Sequence, residues 1–170
     1  LYAGLVTDTG SFRWGGSRAH DTASRLLAGG AETARLGYAL LDAHPFSWLS
    51  VLGSLLGSVR LEEDAAGGRG IVWLAVPHRV IATVEEGDVE SLVSHLRGVR
   101  EACVAVLLKE YRPQEWSVSL RSRDGGPGRG VVDVSEAAVA LGGGGHPAAA
   151  GCTVHGDLDV VTARVRDLLD

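Results

Sequence analysis

The sequence predicts an α/β protein in two parts. Residues 1–46 read as the C-terminal end of a parallel-sheet domain with a linker helix, and residues 47–170 as a smaller α/β domain on a mixed sheet. Three observations lead there. IVWLAV at 71–76 and ACVAVLL at 102–108 are unbroken apolar runs of strand length, the pattern of strands covered on both faces. Between them Val89, Leu92, Val93 and Leu96 recur at helical spacing. Further on, Trp116, Val118 and Leu120 alternate with Ser117, Ser119 and Arg121, which describes a strand with one apolar and one polar face.

The elements follow in order. YAGLV at the start is short and apolar and reads as a strand. TDTGSF reads as a turn, and Ala23, Leu26 and Leu27 mark a helix that stops at Gly29-Gly30. A second helix runs from Glu32 to Ala43, where His44-Pro45 favours a break. SWLSVLGSLLGSVRL then reads as a helix running into a strand. Asp88 is placed to cap the helix of Val89–Leu96, and Asp157 to cap a closing helix with Leu158, Val161, Val165 and Leu168 inward. RDGGPGRG at 123–130 reads as a flexible surface loop, with Arg123 and Arg129 solvated at its ends. Trp14, Trp48, Trp73 and Trp116 are dispersed in apolar surroundings and are expected in the core.

Composition excludes several classes of function. With 45% hydrophobic and 22% charged residues, the chain is too apolar to be disordered. No apolar run approaches the ~20 residues of a membrane span. Cys103 and Cys152 show no paired spacing and suit a reduced, cytoplasmic interior. A net charge of −5 argues against binding nucleic acid by bulk attraction, but leaves room for a local phosphate site made of a few placed donors. Lys109 is the only lysine among 16 basic residues, a bias expected of a GC-rich genome. Methionine is absent, so Leu1 is expected to be a processing product or the start of a fragment.

Three segments could carry chemistry. Asp8, in Thr7-Asp8-Thr9-Gly10, is expected at the carboxyl end of a strand, where open α/β sheets place ligands. It could bind a divalent cation with the threonines orienting it, or simply complete a β-turn. The second segment is Gly142-Gly143-Gly144-Gly145-His146-Pro147, followed by three alanines and Gly151. Glycines let backbone N–H groups approach an anion, and Pro147 suits the first position of a short helix capped by His146. The competing reading is a flexible glycine linker. The third is Arg121, on the polar face of its strand with Ser117 and Ser119. Its planar fork matches a phosphate, or it is an exposed strand arginine. His20, near the start of a helix, either faces the same cleft as Asp8 or lies on the surface. His44, His78, His95 and His155 have neither metal-ligand spacing nor a catalytic partner, and no nucleophile elbow, P-loop or dinucleotide fingerprint occurs.

Together, TDTGSFRW, SLRS at 119–122 and GGGGHPAAAG at 142–151 resemble the DHH phosphoesterase family, closest to its oligoribonuclease and phosphoadenosine-phosphate phosphatase branch. The first segment is similar to the last metal-binding motif of the DHH domain. The other two are similar to the signature of the DHH-associated C-terminal domain. The resemblance implies an enzyme in which two Mn2+ ions activate water to attack a phosphoester. Asp8 would be a metal ligand there. Arg121, Gly143, Gly144, Gly145 and His146 would hold substrate phosphate or the terminal nucleotide, with Ser119 and His20 as lesser candidates. The implied substrates are short RNA or DNA oligonucleotides and phosphorylated nucleotides, with no membrane partner, and the resemblance allows a homodimer of the full-length protein.

The family's earlier metal motifs, including the DHH triplet itself, have no counterpart here; His20-Asp21 is in the reverse order. The chain alone is therefore expected to bind nucleotide phosphate weakly and to hydrolyse nothing. Two other functions compete. One is a non-catalytic nucleic-acid-binding module, against which the TDTG segment argues. The other is a phosphoesterase of the same family acting on polyphosphate, pyrophosphate or cyclic dinucleotides.

Overall fold

Residues 1–13, 15–124 and 130–170 are described by a computed structural model. Trp14, and the part of the glycine-rich loop that includes Arg129, lie outside the described residues. The chain divides into two units, Leu1–Pro45 and Phe46–Asp170, each described by itself.

The first unit is helical. Helix α1 (Tyr2–Asp8) is followed by α2 (Ser17–Ala28) and α3 (Thr33–Gly37), and α3 passes into a π-helical turn, Tyr38–Asp42. The strand expected from YAGLV is therefore corrected to a helix. A five-residue apolar run does not distinguish the two periods, and Tyr2, Leu5 and Val6 fit a helical face as well as they fit a strand. Val6 is the residue of α1 that is buried.

The second unit is built on a mixed sheet of six strands among the described residues, in the order β1-β2-β3-β4-β6-β5. The strands are β1 (Arg60–Glu62), β2 (Ile71–Val76), β3 (Val104–Arg112), β4 (Glu115–Ser122), β5 (Gly144–His146) and β6 (Ala149–His155). Strands β2 and β3 are parallel. The other neighbours pair antiparallel. Helix α4 (Phe46–Leu56) precedes β1, the helical turn α5 (Ala65–Gly68) follows it, and α6 (His78–Ile81) and α7 (Glu86–Leu96) connect β2 to β3. Helices α8 (Val134–Ala140) and α9 (Leu158–Asp167) come before β5 and after β6.

Period-two alternation assigns the residues to two cores. On one face Ile71, Trp73, Val104, Val106, Leu108, Trp116, Val118 and Leu120 join Val134, Ala137, Val161 and Val165 of α8 and α9. On the other face Val72, Leu74, Val76, Ala105 and Leu107 pack under Trp48 and Leu55 of α4 and Val89, Leu92 and Leu96 of α7. Strands β2 and β3 are thus covered on both sides, which is why their sequences do not alternate. No residue of β4 or β6 belongs to the second core, so past β3 no helix of this unit packs on that face of the sheet.

Several sequence expectations change in this unit, among them Leu168, expected inward on the closing helix but 42% exposed, with Leu169 buried instead. Helix α7 begins at Glu86 with Glu85 as its N-cap, so Asp88 lies within the first turn and is buried there. Asp157 does occupy the N-cap position of α9, but its carboxylate accepts from Gln114 Nε2 at 2.8 Å rather than capping the helix. Arg123 is not solvated. Its guanidinium donates to the carbonyls of Ala102, Val99 and Arg100 at 3.1, 2.9 and 2.8 Å, tying the entry of β3 to the end of β4.

Candidate functional site: a glycine trough on the open face of the sheet

The registers place the predicted phosphate residues on one surface. Arg121 pairs with Ala149, and Ala149 pairs with His146 across the next ladder. Directly paired residues point to the same face, so Arg121 and His146 share a row two strand spacings, about 10 Å, apart. The adjacent row is Ser119, Gly151 and Gly144. Ser119 supplies its only side chain, so the backbone of β6 and β5 is bare beside the Arg121–His146 row. The result is a shallow trough, floored by two glycines and edged by a guanidinium and an imidazole.

The side chains that border it are not committed elsewhere. Arg121 is half-buried and donates once, from Nη1 to the Leu120 carbonyl at 2.9 Å. Its other N–H groups have no partner among the described residues. His146 is exposed. Arginine's remaining fork can grip a phosphate from one side while histidine donates from the other.

Two of the glycines have a structural explanation and one does not. A Cβ on Gly143 would strike the Gly151 carbonyl and Cys152, and one on Gly145, whose φ is 146°, would strike the Ala149 carbonyl and Ala150. These two let β5 lie close on β6. A Cβ on Gly144 would meet nothing within 4 Å. Gly144 is free of the fold's own constraints and opens onto the trough.

The expected helix at Pro147 is corrected. Pro147 and Ala148 form the turn of a hairpin between β5 and β6, and there is no helix N-terminus at His146. The Pro147 carbonyl instead accepts from Val134 N at 3.0 Å, and the Ala148 carbonyl from Ser122 N at 2.9 Å. Three alanines favour helix locally, but Ala150, Cys152 and Val154 alternate into the core, and that burial together with ladder pairing prevails. Gly151, part of the glycine segment but expected to hold no phosphate, owes its place on this surface to the same alternation. It puts Ala149, Gly151 and Thr153 on the outward face.

Asp8 is corrected in its setting. It is the last residue of α1 and exposed, not the end of a strand. The flanking threonines do not orient it: Thr7 donates to the Gly4 carbonyl at 3.0 Å and Thr9 to the Leu5 carbonyl at 2.6 Å. Gly10, Ser11 and Phe12 all have positive φ, so the TDTGSF turn is a left-handed stretch, held by Phe12 N donating to Thr9 Oγ1 at 3.0 Å. His20 is exposed and stacks on Phe12 with ring centroids 5.2 Å apart, which brings it to this turn. Among the described residues no three His, Cys, Asp or Glu side chains converge. Asp8 by itself does not fit a metal centre. Both cysteines are buried and free, and burial pushes the Cys152 thiol up, away from a reactive thiolate. Among the described residues no helix is long and apolar enough to cross a membrane.

A mixed six-stranded sheet flanked by helices defines an α/β domain, and the comparisons agree on which one. The chain belongs to the DHHA1 domain family, whose sequence pattern matches residues 76–170. It is 34% identical over 168 residues to the bifunctional oligoribonuclease and PAP phosphatase NrnA of Thermus thermophilus, covering 97% of this chain and 47% of that protein. It shares its fold with an exopolyphosphatase-related protein from Bacteroides fragilis, at a TM-score of 0.78, 20% identity, and coverage of 97% of this chain and 47% of that one. A pGpG-specific phosphodiesterase, PggH, from Vibrio cholerae aligns at a TM-score of 0.53 with 15% identity, over 99% of this chain and 55% of that one. The chain therefore spans about half the length of the relatives it matches.

Proposed function

We propose that this chain is the substrate-binding part of a DHH phosphoesterase that releases nucleotides from short oligoribonucleotides and dephosphorylates 3′-phosphoadenosine 5′-phosphate. The observation that carries this reading is the row of Arg121, Ala149 and His146 beside a glycine floor. A terminal phosphate there would be gripped by Arg121 and His146. Gly144 and Gly151 would let the sugar-phosphate backbone approach the sheet. Ser119 would add a neutral hydrogen bond. The 34% identity to a protein named for both activities supports the choice of substrate.

In this reading the chain orients substrate and does no chemistry alone. The family's divalent ions, which the sequence resemblance takes to be Mn2+, would be held by ligands beyond these residues, with Asp8 contributing one carboxylate. The chain is also proposed to work in the cytoplasm. The test is to incubate the purified 170-residue chain with a 5′-labelled RNA dinucleotide and Mn2+, and to measure binding in parallel by calorimetry. The expected result is weak binding without hydrolysis, in which inorganic polyphosphate competes poorly. Release of mononucleotides would overturn the division of labour, and tighter binding of polyphosphate than of RNA would overturn the substrate.

A further inference from the structure

A second cavity, of about 560 Å³, opens at the other end of the same unit, between Leu55 and Val80 of the second core and Trp73, Leu108 and Trp116 of the first. Its wall includes Trp73, Trp116, Arg60, Arg79, Glu62 and Arg166. Trp73 and Trp116 belong to the core face shared with α8 and α9, whereas the Arg121–His146 row lies on the other face, at the far end of β4. None of the predicted phosphate residues lines the cavity. Arg60, Glu62 and Trp73 also fall outside the matched family segment, which begins at residue 76.

A cation–π pair forms part of its inner layer. The Arg166 guanidinium lies over the Trp73 ring, 6.0 Å from its centroid. It is held in one plane by Glu62, which accepts from Nε at 2.7 Å and from Nη2 at 2.5 Å. About a third of the Arg166 side chain, 36%, remains exposed. A guanidinium fixed by a two-point carboxylate fork offers a rigid planar surface on which a flat ring can lie. Register places Arg60 directly across from Trp73 on β1, and period two puts it on the same face as Glu62. Arg60 is exposed and has no hydrogen bond or ion pair among the described residues. Arg79, also exposed, makes none either, and its charge neighbour is Glu110. Trp73 Nε1 is buried with no acceptor among the described residues.

We propose that this cavity is a second binding site, for a small anion carrying a planar ring. The ring lies on the Arg166 guanidinium fixed by Glu62 beside Trp73, and the acid group is held by Arg60 and Arg79. The charge arithmetic favours an anion. Among the lining residues Glu62 is spent on Arg166, which leaves two arginines against the carboxylate of Asp159, with Glu110 near Arg79 but outside the lining. The volume falls within the range of roughly 300–1,000 Å³ typical of small-ligand sites. A phosphate-bearing nucleoside and an aromatic carboxylate share this chemistry. The site does not depend on the function proposed for the trough.

The experiment uses an R121A/H146A background, so that the trough cannot contribute, and titrates adenosine 5′-monophosphate, benzoate, adenosine and inorganic phosphate by calorimetry. Binding of either ring-bearing anion, with adenosine and phosphate each at least tenfold weaker, is the expected result. Which anion binds assigns the phosphate or the carboxylate class. Adding R60A/R79A should weaken that binding at least tenfold, and Arg166→Lys, which keeps the charge but not the plane, should weaken it too. Thermal melting confirms that these variants fold. Absence of binding by both ring-bearing anions, phosphate binding as tightly as they do, or indifference to R60A/R79A would each overturn the proposal.

Discussion

Arg121 and His146 lie in one cross-strand row with only Ala149 between them, although 24 residues separate them in sequence. The arrangement is set by two consecutive antiparallel registers, so it is as rigid as the sheet. It makes the side-chain chemistry at these positions separable from stability. Arg121→Lys keeps a charge but loses the bidentate fork, and is expected to weaken nucleotide binding nearly as much as Arg121→Ala. Isothermal titration of the two variants tests this. Full recovery with lysine would mean that Arg121 acts only as a point charge.

The glycines divide into two kinds. Gly144→Ala meets nothing in the fold and should change stability by less than about 0.5 kcal/mol, yet it should impair binding by filling the trough. Gly143→Ala drives a methyl into the Gly151 carbonyl and should cost about 1–3 kcal/mol. Urea titrations of both variants, beside a binding measurement, separate the two roles.

Asp8 ends a helix and is exposed, where a negative charge opposes the helix dipole. Asp8→Asn is therefore expected to leave the melting temperature unchanged or slightly raised. In the complete phosphoesterase proposed above it should mainly lower kcat while KM holds. A rise in KM with kcat intact would assign Asp8 to substrate instead of to turnover.

Glu110 is held below the usual carboxylate range, first by the His78 N–H donating to it and next by the Gln114 N–H. Those bonds, at 2.9 and 3.1 Å, tie the start of α6 and the β3–β4 turn to one side chain. A carboxyl whose pKa is lowered by folding adds stability above its unfolded value, and that stability is lost as the pH falls through the lower folded value. Unfolding curves between pH 7 and pH 3 should therefore show a shallower acid decline in Glu110→Gln than in the wild type. An identical slope would show that the bonds contribute nothing.

What the sequence made legible was set by burial on one face or two. The alternation in Trp116–Arg121 and the unbroken runs of β2 and β3 each translate directly into a covering pattern, and the sheet reproduces them. Where several backbone states fit the same few residues, the reading failed. YAGLV became a helix because five apolar residues carry no decisive period. The segment after His146 became a strand because pairing with β4 and burial of Cys152 and Val154 outweigh the local preference of three alanines. Arg123 was missed because its partners, the carbonyls at 99–102, are brought to it only by the tertiary fold. The candidate site residues come from SLRS and GGGGH in the sequence. That they share a face and flank a glycine floor required the register.

The central claim is that Arg121 and His146 hold one ligand between them. A double-mutant cycle for binding of an RNA dinucleotide measures it directly. The account predicts that R121A and H146A each weaken binding about tenfold, roughly 1.4 kcal/mol, and that their effects are not additive because both contact the same phosphate. Wild-type affinity in either single variant, or strict additivity in the double variant, would contradict it.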